Sequence, residues 1–144
     1  MADRISPEQR SRNMSRIKGR DTKPEVRLRS ALHRAGLRFR VCRTDLPGRP
    51  DIVFPRHRLA IQVRGCFWHQ HEGCGGARMP GSNLEYWRPK LQRNVRRDAE
   101  KDAELRELGW RVMVVWECEI STQSSVSDVV DTVSATLTHT LRAE

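Results

Sequence analysis

The sequence predicts an α/β protein, a small mixed sheet flanked by helices, formed as one domain behind a basic helical arm. Three observations carry this prediction. Apolar spacing is helical at Val26, Leu28, Ala31, Leu32 and Ala35, alternates strictly across Leu37–Val41, and later becomes helical again. Trp110-Arg111-Val112-Met113-Val114-Val115-Trp116 is an apolar run of strand length, which predicts a central strand parallel to a neighbour. With 144 residues, 37% of them hydrophobic, the chain can build one modest core.

Taken in order, Ser6-Pro7-Glu8-Gln9 reads as a helix start, with Ser as N-cap, Pro at N1 and Gln at N3. That helix runs to about Ile17 and offers little apolar surface beyond Met14 and Ile17, so residues 1–20 read as an arm and 21–144 as the domain. Thr22-Lys23-Pro24-Glu25 is a capping box for the next helix, which Gly36 stops. Leu37–Val41 alternates as a half-buried strand, Leu46-Pro47-Gly48 turns, and Asp51–Phe54 is a short strand. Pro55–Arg58 turns again into a third strand, Leu59–Val63, and residues 65–83 form an irregular loop. Pro89 suits N1 of a helix with Leu91, Val95, Leu105 and Leu108 on its face, ended by Gly109. Val126, Val129, Val130, Val133 and Leu137 mark a last helix after the Trp110–Trp116 strand.

Charge is distributed unevenly. The net charge is +9, and residues 1–43 hold 13 Lys+Arg against 4 acids, whereas residues 44–144 are balanced. A local excess of this kind suits a phosphate backbone, with Arg10, Arg12, Arg16, Lys18 and Arg20 on the arm as the contacts. No apolar stretch approaches the roughly 18–20 residues of a membrane span. The first residues lack a signal peptide's apolar region, which predicts an intracellular, cytoplasmic protein without a membrane partner.

Two groups of residues carry chemistry. Cys66, His71 and Cys74 lie within nine residues of one another, and Cys118 follows the last strand. Three thiolates and an imidazole make the Cys₃His set of a closed structural zinc site, which would clamp the loop to the sheet. Spacing alone does not separate His69 from His71 as the imidazole ligand, and Cys42 reads as a strand residue without a special role. The second group is the hairpin from Pro50 to Arg64. Nucleases of the restriction-endonuclease type place a Pro-Asp and then an acid-x-Lys on neighbouring strands to hold Mg²⁺. Here Asp51 begins one strand and Gln62-Val63-Arg64 ends the next. One Asp and one carbonyl suffice for magnesium when phosphate and water supply the remaining oxygens.

The segments Asp21-Thr22-Lys23-Pro24-Glu25, Leu46-Pro47-Gly48-Arg49-Pro50-Asp51, Gly65-Cys66-Phe67-Trp68-His69, Asn94-x-x-Arg97-Asp98, Gly109-Trp110-Arg111-Val112 and Trp116-Glu117-Cys118-Glu119 occur together in this chain. Together they resemble the very-short-patch repair mismatch endonucleases over residues from about 8 to 120. The resemblance implies a restriction-endonuclease-like core and a strand-specific, Mg²⁺-dependent endonuclease with a structural zinc. Its substrate would be double-stranded DNA, nicked beside a T:G mismatch left by deamination of 5-methylcytosine. It implies Asp51 as the magnesium carboxylate, the Val63 carbonyl as its second protein ligand, His69 as activator of the attacking water oriented by Asp98, and Glu25 in the outer shell.

Gln62 is an additional candidate ligand. Phe67, Trp68 and Trp87, flat side chains without a periodic partner, fit wedges between base pairs, and Met14 fits a second wedge from the other groove. Arg64 stands where the family usually has histidine. It is no base, and would instead stabilise charge on the phosphate. The His71-Glu72-Gly73-Cys74 segment is one residue longer than usual. The implied state is a monomer. The rival readings are a nicking or restriction-associated endonuclease with another target, and a catalytically weak DNA-binding module.

Overall fold

The computed structural model describes residues 22–41 and 43–143, the last five as backbone alone. The arm, with Met14, Arg10, Arg12, Arg16, Lys18 and Arg20, and also Cys42, lie outside the described residues.

Thr22 caps helix α1 (Lys23–Arg34): its hydroxyl accepts from the Glu25 N–H at 3.4 Å and donates to Glu25 Oε1 at 3.2 Å. Glu25, Leu28 and Leu32 are the buried residues of this helix, an i, i+3, i+7 stripe. Val26, expected on the apolar face, is 48% exposed because the buried stripe begins at Glu25. Gly36 ends the helix at φ +87, with its N–H on the His33 carbonyl and the Leu37 N–H on the Leu32 carbonyl.

The predicted strand at 37–41 shrinks to β1 (Arg40–Val41): Leu37 and Phe39 face the core in alternation with exposed Arg38 and Arg40, but only Arg40 and Val41 pair with β2. Strand β2 (Ile52–Phe54) and strand β3 (Leu59–Arg64) pair antiparallel through Ile52↔Ile61 and Phe54↔Leu59. A 3-10 turn at Pro55–His57, closed by Arg58 in the left-handed region, joins them. Strand β4 (Arg111–Trp116) runs parallel to β3 from Leu59↔Arg111 to Arg64↔Trp116. The order is β1-β2-β3-β4, a mixed sheet, so β3 is interior and β4 lies at the edge. The expectation that the apolar run would be central is therefore corrected. Its apolar character reflects cover on both faces, which an edge strand can also have.

Helix α2 (Leu84–Glu107) covers one face of the sheet, with Leu105 against Val53 and Ala60 and with Leu46, Trp110 and Val112 around them. Helix α1 and helix α3 (Gln123–Ala143) cover the other face. There Leu28, Leu32, Ile52, Phe54, Leu59, Ile61 and Val115 meet Val126, Val130, Val133 and Leu137, the face predicted for the last helix. Two further corrections concern α2. It starts before Pro89, which sits inside it, and Val95 and Leu108 are 44% and 54% exposed. Trp87 packs on the loop aromatics Phe67 and Trp68 in the early turn, with Tyr86 against Trp87, and this contact sustains a start that the proline alone disfavours. No described helix is long and apolar enough to cross a membrane.

Gly109 ends α2 at φ +90, where an added Cβ would lie 2.6 Å from Arg58 Nη1. That nitrogen donates to the Leu108 carbonyl at 3.0 Å. Gly36 has a similar φ and nothing within 4 Å of such a Cβ. Gly36→Ala should therefore cost about 1 kcal/mol, the conformational term alone. Gly109→Ala should cost roughly 1 kcal/mol more, through the displaced hydrogen bond. Thermal unfolding of both variants, repeated in an Arg58→Met background where the difference should vanish, checks this.

Candidate functional site

The sheet register sets the site. Residues 53, 60, 62 and 64 share the face that α2 covers, so Gln62 and Arg64 point toward that helix rather than toward α1 and α3. Asp51 stands just before β2, where the ladder to β3 ends. Its backbone N–H bonds the Ile61 carbonyl at 3.1 Å, and its Oδ2 accepts the Val63 N–H at 2.7 Å. A strand residue turns its N–H and C=O to the same edge, so the Val63 carbonyl opens beside Asp51.

A cavity of about 500 Å³ opens here, lined by Glu25 from α1, Asp51, Gln62, Val63 and Arg64 from the hairpin, Trp68 and His69 from the following loop, and Asn94, Arg97, Asp98 and Lys101 from α2. Thr22, Pro24, Gly48, Arg49, Gly65 and Glu117 complete the wall. Glu25, Gln62 and Arg64 are buried although polar. Burial pushes the Asp51 carboxyl up to about 7, against the Val63 N–H that favours its ionised form. The Glu25 charge raises it further, and His69 and Arg29 act in the opposite sense.

His69 Nδ1 lies 2.6 Å from Asp98 Oδ2. With Nδ1 engaged by a carboxylate, Nε2 of a neutral ring is left as the proton acceptor. Arg64 engages two acids of α2. Its Nη2 donates to both Asp102 oxygens, at 2.7 and 2.9 Å, and its Nε is 3.8 Å from Asp98 Oδ2. The guanidinium is thus committed to two acids of α2.

The loop after β3 carries a second centre. Cys66, His71, Cys74 and Cys118 place their ligand atoms within 4.8 Å of one another, a group able to bind one metal ion. His71 Nδ1 is 3.4 Å from Cys118 Sγ and 3.7 Å from Cys66 Sγ, and its ring stacks on Trp116 with centroids 4.1 Å apart. His71 therefore joins the thiols and His69 faces the pocket, which separates the two histidines that spacing left open. A backbone N–H at Gly76 lowers the Cys74 thiol. Local desolvation, then Cys66 and Cys74, push Cys118 up to about 12 even though the residue as a whole is exposed. Sulfurs crowded in this way cannot all ionise without a cation among them.

Phe67, Trp68 and Trp87 form one cluster of tilted rings with centroids 5.1 to 5.9 Å apart, joined by Tyr86. Asn94 donates to the Trp68 carbonyl at 3.0 Å, tying this cluster to the pocket. Sequence reasoning missed Asp102, Glu117, Lys101 and Tyr86. The signal for Asp102 was its place one turn after Asp98, on the same side of the helix.

Residues 2–74 match the model of a family described as DNA mismatch endonuclease Vsr. The chain is 53% identical over 121 residues to the type II nicking enzyme V.XorIIP of Xanthomonas oryzae pv. oryzae, covering 84% of this chain and 88% of that one. It is 44% identical over 128 residues to the DNA mismatch endonuclease Vsr of Escherichia coli K12, covering 89% and 81%. To the type II nicking enzyme V.NmeAIP of Neisseria meningitidis it is 36% identical over 124 residues, covering 86% and 88%.

The raised Asp51 makes a prediction about stability. Because the folded pKa of about 7 exceeds the ordinary 3.8, folding takes up a proton between those values. The contribution is fully present below about pH 4, is lost as pH rises toward 7, and is flat above that. Asp51→Asn keeps an acceptor for the Val63 N–H and removes the titration. The variant should be more stable than the parent at pH 8, with the gap closing by pH 4. Denaturant unfolding of both proteins in magnesium-free buffer from pH 4 to 8 checks this; a constant difference would contradict the assignment.

Proposed function

The chain belongs to the Vsr family of DNA mismatch endonucleases, and from that membership we propose that it nicks one strand of duplex DNA beside a T:G mismatch. The reading is supported above all by the convergence of Glu25, Asp51, His69 and Asp98, from four separate elements, on one cavity. In this reading the core is restriction-endonuclease-like and the protein acts as a monomer at the nucleoid.

Magnesium would be held by the Asp51 carboxylate and the Val63 carbonyl, with the buried Gln62 amide beside them. The site fits a hard cation, since an oxygen set is what magnesium takes and Asp51 is strained toward protonation without one. When bound, the ion supplies charge stabilisation at the phosphate and a more acidic water. His69 takes the proton of the attacking water at Nε2, Asp98 orients the ring, and Glu25 lies at the edge of the oxygen set. Zinc suits the second centre, where Cys66, His71, Cys74 and Cys118 make the Cys₃His set of a closed structural site. The cluster of Phe67, Trp68 and Trp87 would wedge between base pairs, Met14 from the opposite groove, while the cations of the arm neutralise backbone phosphates.

The relatives named as type II nicking enzymes favour a second reading, nicking at a defined sequence with another mismatch or none. Duplexes carrying each mismatch or none, labelled on either strand and incubated with Mg²⁺, separate the two. Cleavage of the T strand of T:G alone is expected, and equal cleavage of matched duplex would favour the second reading. Asp51→Asn should keep mismatch binding and lose nicking, because the cation loses its carboxylate.

The zinc assignment has its own test. Purified protein should hold about one zinc per chain, and His71→Ala and Cys118→Ser should lose it and unfold more easily. His69→Ala should retain the metal. Full stability with no metal in the parent would exclude a structural zinc.

A further inference from the structure

Arg64 and Asp102 form a buried pair that the nuclease chemistry above does not use. Both are nearly enclosed, at 8% and 7% exposure. Arg64 Nη2 donates to Asp102 at 2.7 and 2.9 Å, while Arg64 Nε lies 3.8 Å from Asp98 Oδ2. That same Asp98 oxygen is the one 2.6 Å from His69 Nδ1. Asp102, Arg64, Asp98 and His69 therefore form one connected line from the buried side of α2 to the cavity.

Asp98 and Asp102 stand one turn apart on α2, where two carboxylates repel unless a cation lies between them. Arg64, at the end of β3, supplies that cation. The contact fixes the spacing between α2 and β3 and confines the Asp98 side chain, and His69 hangs on Asp98. Two of the guanidinium's nitrogens, Nη2 and Nε, face Asp102 and Asp98, so swinging it fully onto a phosphate would leave Asp102 and strand a buried carboxylate. We infer that Arg64 is a positioning residue, locked by Asp102, which holds Asp98 and through it the His69 ring, and that it is not a phosphate ligand. Asp102 is then a second positioning residue. This inference rests on the nuclease reading for what His69 does, and on geometry alone for how His69 is held.

The experiment compares the parent with Arg64→Met, Asp102→Asn and the paired variant Arg64→Met with Asp102→Leu, which leaves no stranded charge and keeps the wall filled if a single variant fails to fold. Three readouts are taken: the single-turnover nicking rate on a T:G duplex with Mg²⁺, the affinity for that duplex, and the downfield N–H resonance of the His69 ring bonded to Asp98. The inference predicts a rate loss of about 10-fold or more in each folded variant, within the usual range for outer partners of an oriented imidazole. Affinity should change by about 2-fold at most, since backbone contacts elsewhere supply most of it. The His69 resonance should shift or broaden in each, and the paired variant should be no slower than the worse single variant.

Two results would overturn the inference. One is a normal rate and resonance in the paired variant, which would make the pair ordinary packing. The other is a faster Asp102→Asn beside a slower Arg64→Met, which would put a freed guanidinium on the phosphate. A parent that nicks no mismatched duplex would defeat the proposed function instead, and the resonance would still decide whether Arg64 holds His69.

Discussion

The carboxylate of Asp51 occupies the place of the next rung in the ladder between β2 and β3. Where β2 begins, its backbone can no longer serve the Val63 N–H, and Asp51 Oδ2 takes that hydrogen at 2.7 Å. This one contact fixes the carboxylate against the strand end and leaves the Val63 carbonyl beside it. It also depends on the Ile52↔Ile61 register, because a slip of one residue would carry Gln62 and Arg64 to the face covered by α1 and α3. The apolar alternation of Ile52, Phe54, Leu59 and Ile61 therefore protects the site while it builds the core. Packing and chemistry share one register.

The helices contribute by where their polar residues fall. Helix α1 buries Glu25 on the same stripe as Leu28 and Leu32, so its first turn enters the cavity while the rest joins the core. Helix α2 does the same with Leu91, Asp102 and Leu105, with Asp98 half-buried one turn before Asp102. In both helices the apolar face is narrower than the sequence suggests because an acid occupies an inward position. A buried acid needs partners, and the cavity wall supplies them at Thr22 and Arg64.

Much of this was legible in the sequence, for reasons that are local. Thr22 and Glu25, Gly36 and Gly109 mark helix ends through backbone rules that operate within a few residues, and the valines of α3 repeat with helical period. What misled was context. Pro89 is a good first helical residue in isolation, yet Trp87 finds aromatic partners in the loop and α2 extends ahead of it. The Trp110–Trp116 run reads as central because it is apolar on both sides, yet the sheet stops at it. For the site, Asp51, Glu25, His69, Arg64 and Asp98 were all picked out, and they line one cavity. The partner of Arg64 was not, since Asp102 lies 38 residues away and its meaning depends on a helix placed by tertiary packing.

The group formed by Cys66, His71, Cys74 and Cys118 joins the loop after β3 to the end of β4, and everything between Cys74 and Cys118 hangs from that junction. That stretch contains all of α2. A metal ion held by these four side chains would close the segment into a loop, and the number of arrangements open to the unfolded chain would fall accordingly. His69 belongs to the tethered loop and Asp98 to the segment so closed. A chelator that removed such an ion would slacken both halves of the His69–Asp98 contact while touching neither residue.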